Sequence, residues 1–119
     1  MLDLSHKNLE VWKISIDFVS DVYRLTGSFP QKEVYGISNQ LRRAAVSVPS
    51  NIAEGASRSS TLERKRFYEI ARSSLVEIDA QFEISKRLEY CSEDGLTNFS
   101  ERMNHLFAML SRLIEKTQA

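Results

Sequence analysis

Arg42 and Arg43 stand in tandem, and a second basic group, Arg58, Arg64, Lys65 and Arg66, begins 16 residues later. A guanidinium offers a planar fork of donors that fits phosphate and carboxylate oxygens. If the six cations converge at a helical hairpin, they can neutralise a nucleic-acid backbone, the main source of sequence-independent affinity. Phe67 and Tyr68 lie beside them and could stack on bases, although Phe67 has the spacing of a core residue. The plainer reading of the same run is a solvated helix face with local ion pairs.

Between the two groups lies Ser47-Val48-Pro49-Ser50-Asn51-Ile52-Ala53-Glu54-Gly55. Pro49 in a helical pattern removes a hydrogen bond and crowds the carbonyl of Ala45, so a kink is expected there rather than a stop. Asn51 and Glu54 face inward if the helix continues. Asn51 can then satisfy carbonyls freed by the proline, and Glu54 can pair with Arg58 or a second-helix arginine. Acid–base catalysis by Glu54 lacks a visible partner base. Gly55 is expected to end the helix.

Other chemistries find little support. His6, His105 and Cys91 do not pair at ligand spacing, and no Glu-x-x-His motif is present, so no metal or cofactor is expected. No Gly-x-Ser-x-Gly elbow occurs, and Cys91 lacks an adjacent base. Residues 54–60 lead into a helix start that could hold an anion, but they lack the second glycine and the lysine of a nucleotide loop. No catalytic residue is assigned.

These side chains need helices to position them. The chain has 119 residues, 42% hydrophobic and 27% charged, which fits one domain over residues 1–119. Four glycines and two prolines suit long helices better than a turn-rich sheet. A single cysteine excludes an internal disulfide and fits a reducing compartment. No apolar run is long enough to span a bilayer, and the first residues do not read as a signal peptide, so the cytoplasm is expected. Net charge is zero, yet residues 39–72 carry seven cations against three acids. Residues 73–119 carry five against eight.

Periodicity predicts four helices. The first runs from about Asn8 to Thr26, with Trp12, Ile16, Val19 and Tyr23 as its stripe and Val11, Phe18, Val22 and Leu25 widening it. Gly27 is a C′ candidate. The second runs from Gln31 or Lys32 to Ala53, its inner face being Val34, Ile37, Leu41, Ala44, Ala45, Val48 and Ile52. Ser60 and Glu63 have capping-box spacing and open a third helix to Tyr90, about 45 Å long. Its stripe is Phe67, Ile70, Ala71, Ser74, Leu75, Ile78, Phe82 and Leu88. Ser92 can cap a fourth helix, whose stripe is Phe99, Met103, Leu106, Leu110, Leu113 and Ile114. Short connections favour an all-α, antiparallel up-down-up-down four-helix bundle. The first helix is apolar beyond one face: Val11, Trp12, Ile14 and Phe18 cannot all point inward. Part of that surplus is expected between subunits.

Several motifs in order resemble one family. They are Leu9-Glu10-Val11-Trp12-Lys13, the segment Phe29-Pro30-Gln31-Lys32-Glu33-Val34-Tyr35-Gly36-Ile37, Gln40-Leu41-Arg42-Arg43-Ala44, the Ser47 to Gly55 stretch, and residues 67–77. They resemble the bacterial four-helix bundle proteins also called the 23S rRNA intervening-sequence family. The resemblance implies a small antiparallel bundle assembling as a ring-like homopentamer around a pore. It implies that some members are encoded within insertions in large-subunit ribosomal RNA genes. A related branch serves diversity-generating retroelements as an accessory protein, binding a reverse transcriptase and nucleic acid through a basic surface. The resulting expectation is a non-enzymatic homo-oligomer that binds structured RNA or a nucleic-acid–protein complex through the six cations. The competing expectation is an oligomeric scaffold whose arginines pair with Glu77, Asp79 or Glu83 between subunits.

Overall fold

The computed structural model describes residues 1–117. Residues 118 and 119, the end of the expected domain, lie outside the described residues. It holds four α-helices, and no strand occurs among the described residues: α1 Glu10–Thr26, α2 Ile37–Ser57, α3 Thr61–Arg87 and α4 Thr97–Lys116. Short 3₁₀ turns at Ser5–Asn8, Gln31–Glu33 and Asp94–Leu96 precede α1, α2 and α4. Helix α1 packs against α2 and α4, and α3 packs against the same two.

The buried stripe of α1 is Val11, Ser15, Phe18, Val22 and Thr26. It lies beside the stripe expected from apolar spacing, and Ile16 and Tyr23 are exposed. Apolar counting missed the rotation because two buried members are hydroxyls. Ser15 Oγ donates to the Trp12 carbonyl at 2.6 Å and Thr26 Oγ1 to the Val22 carbonyl at 2.7 Å. A hydroxyl bonded to its own helix can enter a core at low cost. Val11 and Phe18 are therefore core residues of the single chain, with 6% and 2% exposure, and are not free for an interface. Trp12 and Ile14 stay half-buried.

Helix α2 starts later than expected. After the turn at Gln31–Glu33, Gly36 takes a non-helical backbone (φ −107°, ψ −123°). The Glu33 carboxylate folds back to accept from the Ile37 amide at 3.3 Å. Val34 is left exposed. The helix then runs through Pro49 without a stop and past Gly55 to Ser57. Gly55 is thus a buried interior residue rather than the stop, and the helix ends at Ser57 instead of the expected Ala53. Gly27 does follow α1, but in right-handed geometry rather than the left-handed one of a glycine stop.

Helix α3 opens as its capping residues indicate, with Ser60 Oγ accepting from the Glu63 amide at 3.3 Å. It closes at Arg87, short of Tyr90. Tyr90 N–H donates to the Ser85 carbonyl and Glu89 N–H to the Lys86 carbonyl, with Glu89 left-handed at φ 64°. This is a Schellman closure built on a residue other than glycine. Tyr68, not Phe67, is the buried aromatic of the first turns, and Ile70 and Leu88 are exposed. Aromatic contacts tie three helices at the centre: Phe18 stacks on Phe99 at 5.0 Å, and Phe82 meets Phe99 at 4.9 Å. Ser92 Oγ accepts from the Gly95 amide, but the first turn there is 3₁₀ and α4 begins only at Thr97.

Candidate nucleic-acid interface

The six basic residues do not converge. The fifteen α2 residues 43–57 separate Arg42 from Arg58, about 24 Å of axis at 1.5 Å per residue. Arg42 is tied to the end of α1. Its Nε donates to Thr26 Oγ1 at 2.8 Å, its Nη2 reaches the Tyr23 carbonyl at 3.5 Å, and its guanidinium lies 4.8 Å from the Tyr23 ring centroid. Those contacts place positive charge on the last carbonyls of α1, the favourable polarity for a helix C-terminus. Arg43 is exposed one residue on, beside Asn39, Gln40, Ser47 and Glu77 in a shallow polar recess.

The second group gathers at the α2–α3 turn. Arg58 Nη2 lies 3.1 Å from Glu54 Oε2, its Nη1 lies 3.9 Å from Glu63, and the same guanidinium sits 4.9 Å from the Phe67 ring centroid. Glu54 is therefore exposed and paired with Arg58, not turned inward as the continuous-helix reading had it. Arg64 and Lys65 are half-buried, and Arg66 is exposed. The Arg64 Nε is buried without an acceptor among the described residues. Residues 54–69 hold four cations and three glutamates, so the turn itself is close to neutral. The surplus of residues 39–72 is spread over about half of the bundle's 45 Å length instead of forming one patch.

Pro49 and Asn51 are structural in a way the sequence only half indicates. Asn51 Nδ2 donates to the Ser47 carbonyl at 2.7 Å, one turn back, rather than to the carbonyl of Ala45 that the proline frees. Ser47 Oγ and Ser74 Oγ are 2.5 Å apart, and Gln81 Nε2 donates to Gln40 Oε1 at 3.3 Å, so a polar seam joins α2 to α3. Gly55 is small because Tyr68 and the Arg64 carbonyl lie against it.

No group of three or more His, Cys, Asp or Glu is gathered for a metal among the described residues. Burial pushes the Cys91 thiol up, which leaves less thiolate for attack. His6 is buried edge-on to Trp12, and His105 is exposed on α4. No helix of the described residues is long and apolar enough to cross a membrane. Sequence reasoning missed Arg72, which donates to Ser111 Oγ at 3.2 Å across to α4 and lies over Phe107. It also missed an apolar groove between α1 and α2, whose signal was Trp12, Ile16 and Val19 of the stripe expected to face the core.

The comparison with curated proteins finds no match. A family model described as 23S rRNA-intervening sequence protein matches residues 7–112, most of the chain, and the protein belongs to that family.

Proposed function

We propose that this protein is a non-enzymatic homo-oligomer that binds structured RNA, or an RNA–protein complex, through the α2–α3 turn in the bacterial cytoplasm. Arg58, Arg64, Lys65 and Arg66 form that surface. The observation that carries the reading is Arg66. It is exposed, it joins no ion pair among the described residues, and it lies in the second turn of α3, after the turn that holds Arg58 on its aromatic support. A free guanidinium at the start of α3, together with an aromatic-backed one in the turn before it, suits a phosphate backbone with an adjacent base. The family's description, 23S rRNA-intervening sequence protein, supports the same class of ligand. A nucleic-acid-bound protein such as a reverse transcriptase, the partner that the resemblance to retroelement accessory proteins implies, is a second candidate.

The reading includes an antiparallel up-down-up-down course and a ring-like homopentamer. The side-chain bonds Ser47 to Ser74 and Gln40 to Gln81 support opposite directions for α2 and α3, since residue numbers rise on one as they fall on the other. The exposed apolar face of α1 supports assembly.

A second reading, an oligomeric scaffold with no nucleic-acid role, is favoured by Arg42 and Arg58. Both already have partners within the chain. Binding of the purified protein to a structured RNA across a salt series separates the two, with wild type measured beside Arg64→Ala/Arg66→Ala. Tight binding that weakens steeply with salt, and falls in the variant while assembly persists, is the expected result. No binding at low salt by an intact oligomer would leave the scaffold.

A further inference from the structure

We propose that the groove between α1 and α2 seats the α3–α4 face of a second copy of this chain. The inference rests on the homo-oligomer reading above and specifies which surfaces meet. The groove is about 360 Å³, walled by Trp12, Ile16 and Val19 of α1 and floored by Val46, Pro49 and Ala53 of α2. Ile16 and Val46 are 42% and 43% exposed. Its small floor residues leave room for a neighbouring helix to come close. At Val46 the groove runs on into a recess edged by Arg42 and Arg43. No carboxylate lines either part, and the carboxylate beside Arg43, Glu77, lines the neighbouring recess.

The α3–α4 face has the opposite character. Val76 and Phe107 project from it, 57% and 38% exposed, over a recess of about 280 Å³ that Met103 also lines. Its one charged lining residue is Asp79. Arg72 lies at the edge, held by Ser111 and the Phe107 ring.

These two faces share no helix. The first is apolar and cation-edged; the second sets the exposed Val76 and Phe107 side chains and a carboxylate around a smaller recess. Two copies meeting groove to groove would set Arg43 against arginine, whereas groove to α3–α4 face sets it against Asp79. Charge complementarity of this kind selects register and rejects the like-charge arrangement. An interface between two different patches is heterologous, and a heterologous interface whose rotation closes generates a ring.

The test uses two variants of the full chain, Ile16→Glu and Val76→Glu, followed by sedimentation velocity alone and in equal mixture. Wild type should sediment as an oligomer and each variant as a folded monomer by circular dichroism. The mixture should form dimers and go no further, because each variant keeps the face the other lacks. A variant that stays assembled, or a mixture that stays monomeric, overturns the inference. In a second arm, Arg43→Glu should weaken assembly about tenfold or more, and Arg43→Glu/Asp79→Arg should restore it. This exposed charge swap decides the matter if a glutamate in the groove unfolds the chain, and no recovery there also overturns it. Monomeric wild type would instead defeat the oligomer reading itself. An assembled wild type that ignores RNA would defeat only the RNA reading.

Discussion

Tyr68 of α3 lies where a side chain on residue 55 of α2 would have to be. A Cβ placed on Gly55 would stand 2.8 Å from Tyr68 Cε1 and 3.1 Å from the Arg64 carbonyl oxygen. Tyr68 is 1% exposed, so its ring has little room to retreat, and the other neighbour is backbone. Alanine ordinarily favours a helix interior over glycine by about 1 kcal/mol, but overpacking costs about 1–3 kcal/mol. Gly55→Ala is expected to lose about 1–2 kcal/mol net in urea unfolding. A raised midpoint would mean that the two helices separate more easily than their packing implies.

Glu89 closes α3 in the left-handed region, where a side chain is unfavourable by about 1–2 kcal/mol. The hydrogen bonds from its own amide to the Lys86 carbonyl and from the Tyr90 amide to the Ser85 carbonyl hold the backbone in that turn. Glu89→Gly removes that strain at some entropic cost in the unfolded chain. The expected result is a gain of about 0.5–1 kcal/mol, read as a higher melting temperature. A loss of stability would show that the carboxylate contributes more than the strain costs.

Glu33 and Tyr90 form a latch between the start of α2 and the end of α3. Tyr90 Oη donates to Glu33 Oε2 at 2.7 Å. That hydroxyl first, and the Ile37 amide second, hold the Glu33 carboxyl below its ordinary value of 4.5. The same bond to Glu33 pushes Tyr90 above its ordinary 10.0. Stability from the lowered carboxyl is present above its unfolded value and lost as pH falls through the folded one. Stability from the raised phenol is present below its unfolded value and lost as pH rises through the folded one. Tyr90→Phe should therefore cost most near neutral pH, and its gap from wild type should narrow in acid and in strong alkali. Urea titrations of both proteins at about pH 3, 7 and 11 read this directly. A gap constant across the range would assign the loss to packing alone.

Arg42 and Arg66 should separate under mutation. Arg42→Ala loses a charged bond to Thr26 and the Tyr23 ring contact, an expected loss of about 1 kcal/mol with RNA affinity unchanged. Arg66→Ala removes an exposed side chain and should leave stability within about 0.5 kcal/mol. On the RNA reading it weakens binding and flattens the salt slope by about one counterion. If Arg66→Ala binds RNA as wild type does, the turn is not the contact surface.

Helix number and type were legible because they depend on local rules that this chain obeys. Glycine and proline are scarce, apolar residues recur at helical spacing, and Ser60 with Glu63 marks the start of α3. The bounds were less legible where distant residues decide them. Helix α2 begins at Ile37 because Glu33 turns back onto it under the hold of Tyr90, 57 residues away in sequence. Gly55 read as a stop because glycine usually serves as one, yet here it is a contact point for Tyr68.

The basic cluster shows the same division. The sequence by itself determined the residue types, their family and their local charge surplus. Tertiary structure alone decided that Arg42 serves the end of α1, that Arg58 is shared between Glu54 and Glu63, and that Arg66 is left open. It also decided which of two neighbouring stripes on α1 became core. Hydropathy counts apolar atoms, but a buried hydroxyl that bonds to its own helix is nearly as acceptable inside. Rotation of a helix about its axis therefore depends on what its neighbours can pack against, and only the assembled bundle sets that.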